Sequence, residues 1–282
     1  NECKKYATID IFLEQIHMLN FRKPLNAQYL FDSFKNIEEM PYSGDNNMTG
    51  YYIEQLLSIL QEAFMDNYEK SIRISHLEIF FMNVIDWSTM RCFQRMIKES
   101  PELLAEIVDT IYKHDHQDNI TKSFEDIKFR NMYTLYEKAC FCPMEKNGVV
   151  REDKLKEWVE RYRELLEQND QKSLFGFTIG RFLAFSPVGK DGHSPCEAVR
   201  KIIEEYGDDD MIDRYQMTIY NNRGVYSPSA GKDEYYIAEK FKANAQFLEP
   251  NYPNTSKIFY GLYKRYLRES DRERQEAENG IF

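Results

Sequence analysis

The chain has 282 residues, 42% hydrophobic and 30% charged, which is enough apolar material for one large domain or two modest ones. Its net charge of −10 repels polyanions, so neither nucleic acid nor an anionic membrane is expected as a partner. No window reaches the ~18 consecutive apolar residues of a membrane span. Five cysteines, an odd number, follow no signal-peptide pattern and read as reduced thiols of a cytoplasmic protein.

Helical periodicity dominates from the start. Ile9, Phe12, Leu13 and Ile16 share one face. Ile53, Leu56, Leu57, Leu60 and Phe64 form a second stripe, with Thr49 as a possible N-cap, and Leu77, Phe80, Phe81, Val84 and Ile85 a third. Leu103, Leu104, Ile107, Val108 and Ile111 follow Ser100-Pro101, which reads as a cap and a first-turn proline.

In the second half, Leu155, Trp158, Val159, Tyr162, Leu165 and Leu166 make the cleanest stripe, with Trp158 at its centre as an expected core residue. Phe175, Ile179, Phe182 and Leu183 form a shorter one. Ser194-Pro195-Cys196-Glu197 reads as a capping box before Val199, Ile202, Ile203 and Tyr206, with Gly207 as the stop. Met211, Ile212, Tyr215 and Ile219, and then Ile258, Leu262, Tyr266 and Leu267, complete the series. No strict alternation marks a strand. Residues 41–50, 187–195 and 224–231 read as loops, and the polar stretch 113–123 as a divider. The expectation is an all-α fold, an irregular helical bundle or solenoid-like array of roughly ten or more helices. It would form an N-terminal part over residues 1–117 and a C-terminal part over residues 118–282.

Chemical motifs are weak. Asp45-Asn46-Asn47-Met48-Thr49-Gly50 begins like a calcium loop, but its twelfth position is Leu56 in place of a bidentate Glu. His114-Asp115-His116 with Asp118 has its histidines two residues apart, off a common helix face, so a solvated turn is the better reading. Cys140, Cys142, His193 and Cys196 have spacing too tight for the usual zinc pairs; buried structural thiols are expected, with Cys140 continuing a helix face of Tyr133 and Tyr136. Six residues lie between Gly224 and Gly231 before Lys232, where a phosphate loop has four. No nucleophile–base–acid trio stands out. No metal or cofactor is expected.

Four stretches are reminiscent of one group of proteins: residues 194–200, residues 219–225, Ala238-Glu239-Lys240-Phe241 before Ala245, and residues 253–278. Together they resemble the C-terminal region of large, poorly characterised bacterial proteins, some labelled helix-turn-helix or antitoxin-like. Ser100-Pro101-Glu102 extends the resemblance more weakly into the first half. In that group a Trp precedes the Pro, where this chain has His193-Ser194, and a Gly-rich loop follows the position of Arg223-Gly224. The resemblance implies context and no chemistry.

Arg200, Asn222, Arg223 and His193 are the candidate functional residues. Asn222-Arg223-Gly224 sits at a helix end, where an Arg meets the negative end of the helix dipole. Arg200 lies on the capped helix, on the face opposite Val199 and Ile203. An arginine network tying loops to helices is the structural reading; an arginine pair that binds a ligand is the functional one. The start at Asn1-Glu2-Cys3, without Met, suggests a piece of a longer polypeptide. The expected role is a non-enzymatic interaction or scaffolding region whose partner is another protein or other domains of the same polypeptide. The alternatives are a regulatory sensor of a bacterial defence or toxin–antitoxin system, and an enzyme whose site is assembled from distant residues.

Overall fold

The computed structural model describes residues 8–41, 48–116, 127–224 and 229–279. Helix makes up 72% of the described residues, about twice the globular average, so the all-α expectation holds. Among the described residues there are thirteen α-helices and one two-stranded hairpin. None of these helices is long and apolar enough to cross a membrane.

The chain divides into two compact units, Asn1–Ile97 and Lys98–Phe282. The expected boundary at 117/118 lies outside the described residues.

In unit 1, α1 (Ile9–Arg22), α2 (Ala27–Ser33) and α4 (Tyr68–Phe80) pack on α3 (Thr49–Phe64), and the unit runs into α5 (Arg91–Glu99). Ile9, Leu13 and Ile16 of α1 and Ile53, Leu56, Leu57 and Leu60 of α3 are buried, as their spacing requires. Two local expectations fail. Thr49 does not cap α3; it is the buried first residue, and its hydroxyl donates to Asp10 Oδ1 at 2.5 Å. The stripe from Leu77 to Ile85 is not one helix. α4 stops at Phe80, Phe80 and Val84 are exposed, and Asp86 caps a 3-10 turn, Trp87–Thr89, by accepting the Ser88 N–H.

In unit 2, α6 (Pro101–Ile111) packs on α7 (Ile127–Lys138) and α8 (Glu152–Gln168). Its start matches the sequence: Pro101 takes the first turn, and Ser100 Oγ accepts the Leu103 N–H at 3.3 Å. α9 (Leu174–Leu183) lies against α11 (Asp209–Asn221). α13 (Pro253–Glu278) packs on α10 (Glu197–Tyr206), α11 and α12 (Lys232–Leu248). Trp158 is a core residue, 3% exposed, with its ring stacked on Tyr162 at 5.3 Å. Among the described residues, the hairpin β1 (Glu145–Lys146) and β2 (Val149–Val150) is the one departure from an all-helical reading. Asn147 and Gly148 turn it with φ of 53° and 77°, the left-handed pair of a type I′ turn.

Candidate functional site

The candidate residues separate into two clusters along α12. The first surrounds the loop between α9 and α10. Arg200 is almost fully buried and holds that loop with four hydrogen bonds. Its Nη1 and Nη2 donate to the two Asp191 oxygens at 2.5 and 2.8 Å, its Nε to the Pro195 carbonyl at 2.7 Å, and Nη2 again to the His193 carbonyl at 2.8 Å. The guanidinium also lies 5.4 Å from the Tyr252 ring centre. This planar fork is what a buried Arg supplies and a Lys cannot. The charge-assisted bonds from Arg200 pull the Asp191 carboxyl down to about 2.

His193 continues the cluster onto α12. Its ring stacks on Phe247 with centroids 3.6 Å apart and planes 6° from parallel. Asn244 Nδ2 donates to the Ser194 carbonyl at 2.7 Å, which leaves Asn244 Oδ1 as the acceptor for His193 Nδ1–H at 3.0 Å. The expected capping box does not form. Cys196 is the N-cap of α10, its N–H is taken by the Ser186 hydroxyl at 3.0 Å, and Glu197 Oε1 accepts the Lys190 N–H. Ser194 faces α12 through its carbonyl, so it is not at the helix start.

The second cluster sits at the other end of α12. Arg223 Nη2 donates to Glu234 Oε1 at 2.5 Å, and Glu234 is fully buried in the first turn of the helix. Burial, the largest single effect, would raise the Glu234 carboxyl, but the bond and charge of Arg223, a backbone N–H and the Ser229 hydroxyl together outweigh it and the net shift is downward. Ser229 Oγ donates to Glu234 Oε2 and accepts the Asp233 N–H. The N–H groups of Ser229 and Gly231 donate to Glu273, so a carboxylate already faces the donors that a phosphate loop would offer. Residues 225–228 of this loop lie outside the described residues. Asn222 is exposed at the end of α11. Glu234 and Asn244 are ten residues apart on one helix, roughly 15 Å. Arg200 and Arg223 therefore form no pair; each closes a different loop.

No family model, curated protein or solved structure matches this chain. The resemblance of the second half rests on its sequence stretches alone.

The remaining motifs resolve into intramolecular contacts. His114 meets Asp109 at 2.9 Å, and His116 pairs with Asp170 through its backbone N–H and its ring. Asp115 accepts the Ser173 N–H just before α9. Asp118 and the calcium-like Asp45, Asn46 and Asn47 lie outside the described residues. Cys140 is exposed beyond the end of α7, contrary to the buried thiol expected, because the helix stops at Lys138. Cys142 and Cys196 are buried. Among the described residues, no three His, Cys, Asp or Glu side chains converge as a metal site.

One group that the sequence did not single out is Glu78. It is fully buried on α4 and accepts three donors: Gln61 Nε2 at 2.6 Å, Cys92 N–H at 3.0 Å and Phe93 N–H at 2.7 Å. Burial pushes its carboxyl up to about 7. An open hollow of about 680 Å³ in unit 2 is lined by Lys232, Tyr235 and Arg274 among others; neither Glu78 nor Asp191 lines it.

Proposed function

We propose that this chain is a non-enzymatic helical interaction region of a larger, cytoplasmic bacterial protein, and that it docks a protein partner through the loop at residues 187–195 and the adjoining face of α12. One observation carries the reading: Phe247 is a large exposed ring that is nevertheless held in place. It is 46% exposed, yet it is stacked on His193, which Asn244 orients and the Arg200 network supports. A fixed aromatic ring loses little freedom on binding, which is the property of an anchor residue. Tyr236, 62% exposed, is eleven residues earlier on the same face of α12, with Lys240 Nζ 4.3 Å from its ring centre. Val188, also exposed, lies beside Gly189, whose N–H donates to the His193 carbonyl at 2.8 Å.

The use of the ionisable groups supports the same reading. Arg200 and Asp191, Arg223 and Glu234, and Glu78 with the start of α5 are engaged with each other or with backbone. An active site would instead aim perturbed groups into a pocket. The membership in a larger bacterial protein rests on the resemblance noted from the sequence.

The test is an interface scan on the full-length polypeptide in its own cells. Phe247→Asp and Tyr236→Asp should each leave the helical content unchanged and abolish one specific association. Gln168→Asp, on the exposed end of α8, should leave that association intact. An association that survives both charge substitutions would overturn the reading.

A further inference from the structure

The exposed face of α12 has a shape as well as two rings. Tyr236, Lys240, Ala243 and Phe247 follow one another at intervals of four, three and four residues, the spacing of a single helix face. All four are exposed. The rings at the two ends are eleven residues apart, roughly 16 Å along the helix. Ala243 between them offers only a methyl group, so Tyr236 and Phe247 bound a shallow notch. An α-helix with its side chains is ~10–12 Å across. It fits this notch crosswise, with its apolar side on Ala243 and one ring on either flank.

The charges beside the notch are unequal. Lys240 lies on the face itself, its ammonium 4.3 Å from the Tyr236 ring centre. Lys190 is exposed on the loop that carries His193. Neither ammonium meets a carboxylate among the described residues. The neighbouring carboxylates are taken: Asp191 by Arg200, Glu197 by the Lys190 N–H, and Glu239 by Lys242 at 3.5 Å. At the start of α12, Lys232 and Asp233 are both exposed and offset each other. Two unpaired cations therefore stand beside the notch on a chain whose net charge is −10. At physiological salt, exposed charges are largely screened beyond ~8 Å, so a segment seated in the notch is governed by these two ammonium groups and not by distant carboxylates. A long polyanion such as nucleic acid runs past the notch onto the acidic remainder of the surface, where it is repelled.

We propose that the occupant of this face is an acidic amphipathic helix of a partner protein, seated across Ala243 with its apolar side between Tyr236 and Phe247 and its carboxylates on Lys190 and Lys240. The assignment rests on the docking reading above and adds the chemistry of the partner. The aromatic pair supplies contact area, and the two lysines supply orientation and choice of partner.

The test is photo-crosslinking in the full-length polypeptide with a photoreactive residue at position 246, which is exposed beside the notch, and sequencing of the tethered segment by mass spectrometry. The segment should carry net negative charge, with apolar residues recurring every three or four positions. Lys190→Glu combined with Lys240→Glu should cut the adduct yield about tenfold, the effect of turning two exposed ion pairs from attraction to repulsion, and Lys190→Arg combined with Lys240→Arg should keep it. Ala243→Trp, which fills the notch, should abolish it. A neutral or basic segment, a nucleic-acid adduct, an adduct to the same face of a second copy, or a yield indifferent to the paired Glu substitutions or to Ala243→Trp would overturn the acidic helix. Phe247→Asp separates the two claims. If it abolishes an adduct that the paired Glu substitutions leave intact, the docking face stands and its acidic occupant falls. If the adduct survives Phe247→Asp, or none forms at all, the docking face falls and the acidic helix with it.

Discussion

Replacing Arg200 by Met keeps most of the side-chain volume and removes every polar contact of the guanidinium. Asp191 loses a two-point ion pair, and the carbonyls of Pro195 and His193 each lose their donor from Arg200. Breaking a buried pair from one side costs ~3–5 kcal/mol. The Asp191 side chain is 31% exposed and recovers part of its hydration, which trims the figure, while the two carbonyls add back about 1 kcal/mol. The expected loss is about 3 kcal/mol, or roughly 1 M in the urea midpoint of unit 2. The chain has two tryptophans, Trp87 in unit 1 and Trp158 in unit 2, so Trp87→Phe makes fluorescence a reporter of unit 2 alone. An unchanged midpoint for Arg200→Met in that background would refute the view that this network holds the loop.

Other consequences follow from the same contacts. Trp158→Ala should cost ~3–5 kcal/mol, because it opens a cavity beside Tyr162 in the core of unit 2; denaturant titration reads it directly. Asp191 is depressed in the folded state, so its contribution is present above the unfolded carboxylate value of 3.8 and is lost as pH falls through about 2; Asp191→Asn should remove about 1–2 kcal/mol at neutral pH and flatten that acid limb. Glu78 behaves in the opposite way. Its folded value of about 7 exceeds the unfolded 4.5, so its contribution is complete below 4.5 and is lost as pH rises through 7, a change of up to about 3 kcal/mol that thermal melts across this range should record. Phe247→Ala should shift the urea midpoint little, since the ring is half exposed and adds little to the core.

Much of the helical scheme was legible because buried faces repeat at helical spacing. Leu155, Trp158, Val159, Tyr162 and Leu166 fall on one stripe and are all buried. Ser100-Pro101 marked a helix start through local chemistry that needs no distant partner. The stripe from Leu77 to Ile85 misled, since Phe81 and Ile85 are buried in a turn that keeps helical spacing without being helix. The hairpin was hidden because two-residue strands have no room to alternate, though Asn147-Gly148 is itself a turn signal. Arg200 could be read as a loop-tying arginine, but the face expected for it was wrong: it is buried as Val199 and Ile203 are, not turned away from them, because Asp191 and the loop carbonyls satisfy its guanidinium, and those partners reach it only through the fold of the loop. Glu78 left a faint trace: Ser71, Ser75 and Glu78 are polar at helical spacing beside Ile74 and Leu77. The donors that give it meaning come from α3 and α5.

The most direct measurement is site-specific photo-crosslinking in the full-length polypeptide, with a photoreactive residue at position 247. A discrete adduct with a protein segment should form, should disappear when Tyr236→Asp is added, and should be absent with the photoreactive residue at position 168. No adduct at 247, or equal adducts at both positions, would contradict the proposal that this face of α12 is where the chain meets its partner.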